Sequence, residues 1–194
     1  MSSPTPTLFT EAEYLALERV SDRKHEFLAG SIVAMAGARP PHNVLAANVT
    51  SALVVLSRHG ACVTMTSDQR VHVPATGLYA YPDVTVACGE RKYGDKEPPS
   101  LLNPSLLVEV TSDSTEDYDR STKFLHYQAI PSLQEYVIVS HRERRVDHFR
   151  RLENGPWLNI TLRGEATVEV PLLGGSLELN DLYAGVVFDE GRTS

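Results

Sequence analysis

The sequence predicts an α/β domain in which helices flank a mixed central β-sheet, and three observations predict it. A β-hairpin near the N-terminus leads into one long helix. Short apolar runs of strand character then alternate with a second helix, and strand patterning resumes beyond Trp157. With 194 residues the chain is long enough for one domain with a sizeable core. A flexible arm is expected over 1–9, one domain over 10–188 and a loose tail over 189–194.

The elements follow in order. Thr10 and Glu13 have capping-box spacing, and Tyr14, Leu15, Leu17 and Val20 form an apolar stripe, so a short helix begins there. His25 to Leu28 and Ser31 to Met35 flank the turn pair Ala29-Gly30, the pattern of a two-stranded hairpin. Pro40-Pro41 introduces a helix over His42 to His59, with Val44, Leu45, Val49, Leu53 and Leu56 at helical spacing and Gly60 as its stop. Cys62 to Thr66, Gln69 to Val73 and Pro82 to Ala87 read as strands, and Gly89 to Asn103 as a charged, proline-bearing loop.

Leu106 to Val110 has the near-continuous apolar character of a strand buried on both faces. A helix over about Glu116 to Ile130 is expected next, capped by Ser112 to Thr115 and stopped by Pro131. Glu135 to Ser140 and Arg144 to Arg151 form a strand pair. Leu158 to Leu162, Thr167 to Val170 and Ser176 to Leu179 are the extra C-terminal strands, with a short helical piece near Asn180 to Gly185.

Composition excludes several classes. Hydrophobic residues make up 42% and charged residues 22%, a globular balance. No run is apolar enough to span a bilayer, and the first ten residues lack the basic and apolar regions of a signal peptide. A soluble, cytoplasmic setting without membrane partners is therefore expected. Cys62 and Cys88 lie 26 positions apart without CxxC spacing, and read as buried free thiols rather than zinc or redox ligands. The net charge of −7 opposes a generally basic, phosphate-gripping surface, so a nucleic-acid substrate requires local basic residues or metal ions at the site.

Two acids stand where strand sequence is otherwise apolar: Asp83 after Pro82, and Glu109 inside Leu106 to Val110. Burying a carboxylate costs several kcal/mol, of order ~5, unless a partner compensates it, and one divalent cation can compensate two. Two carboxylates with water and phosphate suit Mg2+ or Mn2+ rather than zinc. Lys123, 14 residues beyond Glu109 on the following helix, can reach the mouth of such a site. The plainer readings are a turn for Asp83, an arginine partner for Glu109, and a surface Asp119–Lys123 pair.

In combination, these residues resemble the Uma family of restriction-endonuclease-like proteins, within the PD-(D/E)XK nuclease superfamily. The resemblance covers residues 10 to 150. It is carried by the hairpin His25 to Val33, Pro41-His42, Tyr81 to Val84, Leu107 to Ser112, the Asp119, Lys123 and Tyr127 helix pattern, and Pro131 to Val139. It implies a restriction-endonuclease-like core in which Asp83 and Glu109, with the Val110 carbonyl, bind the metal. It further implies that Lys123 orients or stabilises the nucleophilic water and that Glu26 is an additional acid near the metal. The superfamily's lysine normally stands two residues after the glutamate. That place holds Thr111 here, so the resemblance implies that Lys123 acts from the helix instead.

Lesser candidates are His42 and Tyr127, each with a structural alternative as helix cap or core residue, and Gln69 as a substrate contact. The basic stretch His141 to Arg151 reads either as a phosphate-contacting strip or as a solvated hairpin with Val146 and Phe149 turned inward. The function expected is metal-dependent endonucleolytic hydrolysis of DNA, with homodimerisation as a means of cutting both strands. The alternative is a weakly active or inactive nuclease fold serving as a binding or scaffold protein.

Overall fold

A computed structural model of the chain describes residues 8–35, 37–153 and 155–188. Most of the expected arm and all of the expected tail lie outside the described residues. Helix α1 (Glu11–Glu18) begins with the anticipated capping box, Thr10 and Glu13 exchanging side-chain and backbone hydrogen bonds. It ends before Val20, which is exposed, so only Tyr14 and Leu15 of the anticipated stripe are buried. Strands β1 (His25–Leu28) and β2 (Ser31–Ala34) then form the hairpin, with Leu28 opposite Ser31. Both turn residues take the left-handed conformation, φ 49° at Ala29 and 86° at Gly30, as a two-residue hairpin turn requires.

Helix α2 (Pro40–Ser57) starts on the two prolines, which lose nothing at a helix N-terminus because those N–H groups have no intrahelical acceptor. Strands β3 (Cys62–Thr66), β4 (Val71–Val73), β5 (Leu78–Ala80), β6 (Val84–Cys88) and β7 (Leu106–Val110) follow. Beyond them come α3 (Glu116–Tyr118), a π-turn over Asp119–Lys123, and α4 (Phe124–Gln128) in one continuous helical run. The chain closes with β8 (Glu135–Val139), β9 (Arg145–Arg151), β10 (Trp157–Arg163), β11 (Thr167–Val170), β12 (Gly175–Glu178) and α5 (Leu179–Leu182).

The central sheet has six strands in the order β10-β9-β8-β7-β6-β3. Only β7 and β8 are parallel, because the helical crossover α3–α4 connects them; the other neighbours are antiparallel, making the sheet mixed. A smaller sheet, β2-β1-β5-β4, carries the N-terminal hairpin, and β11 pairs with β12. Strand β5 was not anticipated from the sequence.

Side-chain alternation divides the core. Val108 and Val110 of β7 pack with Leu45, Val49 and Leu53 of α2, whereas Leu107 packs with Phe124 and Tyr127 of α4 on the opposite face. Glu109 shares the parity of Leu107 and therefore faces the helical crossover. That run is not the regular helix anticipated. The buried Tyr136 hydroxyl donates to the Asp119 carbonyl at 3.0 Å, a side-chain bond at the start of the π-turn.

The cysteine reading is corrected. Cys62 and Cys88 form a disulfide, and both are partly rather than fully buried. They are directly opposed residues of the antiparallel pair β3–β6, a register that separation along the chain does not reveal. Disulfides persist in oxidising surroundings, so this bond runs against the cytoplasmic setting expected from the sequence.

Candidate active site

Three structural features bring the acids together. Strands β6 and β7 are antiparallel with Val84 opposite Val108, so continuing the register by one residue sets Asp83 across from Glu109. Asp83 itself precedes β6, and its Oδ2 accepts the Val110 backbone N–H at 2.7 Å. The hairpin supplies Glu26 from β1, and the π-turn supplies Asp119 and Lys123.

Lys123 is the hub. Its Nζ lies 2.8 Å from Glu26 Oε1, 2.9 Å from Glu109 Oε1 and 3.5 Å from Asp119 Oδ1. Lys123 reaches the cleft as expected, from a buried position in which its side chain is only 5% exposed. Asp119–Lys123 is not the surface pair of the plainer reading, since both residues are buried. Burial opposes the lysine's charge, but Glu109, Glu26 and Asp119 together raise its pKa well above the ordinary value, so it stays an ammonium.

Burial raises the Glu109 pKa well above the usual carboxylate range, against the pull of Lys123, and Asp119, Asp83 and Glu26 push it the same way. Burial likewise raises Asp119, again against Lys123. Tyr127, fully buried on α4, donates its hydroxyl to Glu109 Oε1 at 2.9 Å, which fixes the carboxylate's orientation. His42, in the first turn of α2, sits with Nε2 3.3 Å from Asp83 Oδ2. Burial works against its imidazolium, yet its hydrogen bond to Asp83 and that residue's charge raise the pKa overall.

Four carboxylates, Glu26, Asp83, Glu109 and Asp119, thus cluster with the Lys123 ammonium and the His42 imidazole in one part of an open cleft. Glu26 Oε1 is buried and ion-paired with Lys123 Nζ at 2.8 Å, whereas His42 Nδ1 is buried without a hydrogen-bond partner. Clustered carboxylates are what a hard, oxygen-seeking cation compensates. Asp83, Glu109 and Val110 are the residues of the cleft whose oxygens are of the type such an ion takes. Among the described residues, no group of three or more His, Cys, Asp or Glu side chains is arranged as a ready metal cage.

Of the residues singled out from sequence, Glu26, His42, Asp83, Glu109, Val110 and Lys123 line this cleft, and Tyr127 supports it from behind. Gln69 does not join them; its side-chain amide donates to the Arg70 carbonyl at 2.8 Å. Asp119 belongs to the cluster as well, although the sequence had marked it only as part of the helix pattern with Lys123 and Tyr127 and not as a site residue.

A family model described as "Putative restriction endonuclease", Uma2, matches residues 11–181. The chain belongs to the Uma2 family. Two Synechocystis sp. proteins (strain ATCC 27184 / PCC 6803 / Kazusa) are similar along most of their length. The uncharacterized protein sll1609 is 36% identical over 161 residues, 83% of this chain and 91% of its own. The uncharacterized protein slr1290 is 34% identical over 187 residues, 96% of this chain and 97% of its own. The crystal structure of a "putative nuclease belonging to DUF820" from Anabaena variabilis superposes with a TM-score of 0.70 at 15% identity, covering 86% of this chain and 93% of that one. The Uma2 chain therefore has a nuclease-like fold, a mixed central sheet flanked by helices, as its sequence predicted.

Proposed function

We propose that this Uma2 protein is a metal-dependent endonuclease that hydrolyses DNA phosphodiester bonds at the Asp83–Glu109–Lys123 cluster. The observation that carries the reading is the meeting of these three residues, with Glu26 and Asp119, in one part of an open cleft. Asp83, Glu109 and the Val110 carbonyl are the groups that would hold Mg2+ or Mn2+. When bound, such an ion supplies an acidified water and offsets charge on the phosphate.

The chain's own residues do the rest. Tyr127 holds Glu109, and His42 together with the Val110 N–H holds Asp83, so both carboxylates are oriented before substrate arrives. Lys123 presents an ammonium beside Glu109, suited to orienting the attacking water or stabilising the phosphorane oxygens. Glu26 and Asp119 keep that ammonium charged and in place. A homodimer would offer one such cleft to each strand of a duplex.

The test is cleavage of plasmid and single-stranded DNA with Mg2+ or Mn2+. Divalent-dependent cleavage lost in Asp83→Ala and Glu109→Ala supports the reading; cleavage that survives both substitutions overturns the site. One observation favours the second reading, a nuclease fold that binds without turnover: Lys123 is buried and its charge is engaged by three carboxylates. Retained DNA binding without metal uptake or cleavage of any DNA form decides for that reading.

A further inference from the structure

The basic stretch beginning at His141 does not form one strip. Arg144 donates to Asn180, Arg145 pairs with Asp147, and Arg151 donates to the Gln128 and Ile130 carbonyls while its guanidinium lies over the Trp157 ring. Its first two members behave differently. His141 and Arg142 line the same cleft as Asp83 and Glu109, and both turn to one carboxylate, Asp113.

Arg142 Nη2 lies 2.7 Å and His141 Nε2 3.1 Å from Asp113 Oδ1, and Arg39, the residue before α2, brings Nη1 within 3.6 Å of Asp113 Oδ2. Thr111 anchors this group to the active-site strand. Its Oγ1 accepts the His141 backbone N–H at 3.1 Å and lies 2.8 Å from His141 Nδ1. Asp113 is 52% exposed, so its carboxylate is accessible at the rim, and His141 and Arg142 hold it below the usual carboxylate range. Two guanidiniums and an imidazole converging on one accessible anion form a site whose chemistry suits a phosphate group.

The geometry points to a phosphate-binding rim formed by Arg39, His141 and Arg142, which grips a backbone phosphate flanking the scissile bond, with Asp113 as the internal anion that occupies the rim until DNA displaces it. This inference rests on the nuclease reading and adds the residues that seat the strand. It would also let an acidic protein hold DNA: Asp113 offsets part of the rim's positive charge in the free protein, as Glu116 does 3.7 Å from Arg142 Nε, and phosphate replaces Asp113 on binding. Thr111, where the superfamily's lysine normally stands, acts here as the positioning residue that ties the rim to β7.

The test is fluorescence anisotropy of a labelled duplex of about 20 base pairs across a salt series, with calcium replacing magnesium. Asp113→Asn should tighten binding roughly twofold to fivefold, the scale of an exposed ion pair. Arg142→Ala should reduce the slope of log K against log salt by about 0.9, one phosphate contact, and Arg142→Lys should restore most of it. Circular dichroism confirms that each variant is folded. Unchanged slopes in both Arg39→Ala and Arg142→Ala, or weaker binding by Asp113→Asn, overturn the rim while leaving the nuclease reading intact. A wild-type protein that binds no DNA overturns both.

Discussion

The Lys123 ammonium lies 2.9 Å from Glu109 Oε1 in a place where both side chains are only 5% exposed, so each supplies the other's principal compensation for burial. Removing one partner strands the other. Lys123→Met should cost about 3–5 kcal/mol of unfolding free energy, and the double change Lys123→Met with Glu109→Leu should recover a large part of it. Urea denaturation of the two single variants and the double variant checks this; additive losses would contradict the coupling.

Tyr127 acts on Glu109 rather than on substrate. Tyr127→Phe should cost about 1 kcal/mol or somewhat more for the lost hydroxyl bond, and should weaken Mn2+ binding without abolishing it. Calorimetric titration of the variant with Mn2+ measures both the affinity and the number of sites.

The hairpin turn that carries Glu26 depends on glycine. Gly30 has φ 86°, and a Cβ there would meet Leu8 Cβ at 3.0 Å. Gly30→Ala should therefore destabilise the protein by about 1–2 kcal/mol, read as a lower denaturation midpoint with an unchanged m-value.

Acid should weaken the fold through Asp147. Burial alone would raise its pKa, but hydrogen bonds from Thr161 and Arg120 and the charges of Arg120 and Arg145 lower it overall. A carboxyl depressed in the folded state contributes stability that is present above its unfolded value, about pH 4, and is lost as pH falls through the folded value. Stability followed below pH 5 should decline less steeply in Asp147→Asn, measured relative to its own value at neutral pH.

The fold was legible where local patterning decides structure. The Thr10–Glu13 capping box, the Ala29-Gly30 turn and the paired prolines before α2 each act over a few residues, and each does in the fold what its chemistry requires. Strand β5 was not legible because its three residues, Leu78–Ala80, are all buried and show no alternation, unlike the equally short β4. The Cys62–Cys88 bond was hidden for a different reason, since it depends on the register of β3 against β6.

The site was legible in part. An acid inside an apolar strand marks Glu109 on sight. The burial of Lys123 is set by the π-turn and the hairpin together, and no local pattern carries it. The rim of Arg39, Asp113 and His141 joins the approach to α2 with the loops after β7 and β8, so only the folded chain brings it into one place.

Calorimetric titration of Mn2+ into the wild-type protein and into Asp83→Ala tests the central claim most directly. The account predicts saturable binding to the wild type, lost or weakened at least tenfold in the variant, with both proteins equally folded. Saturable binding of unchanged affinity in Asp83→Ala, or no binding to the wild type, would contradict it.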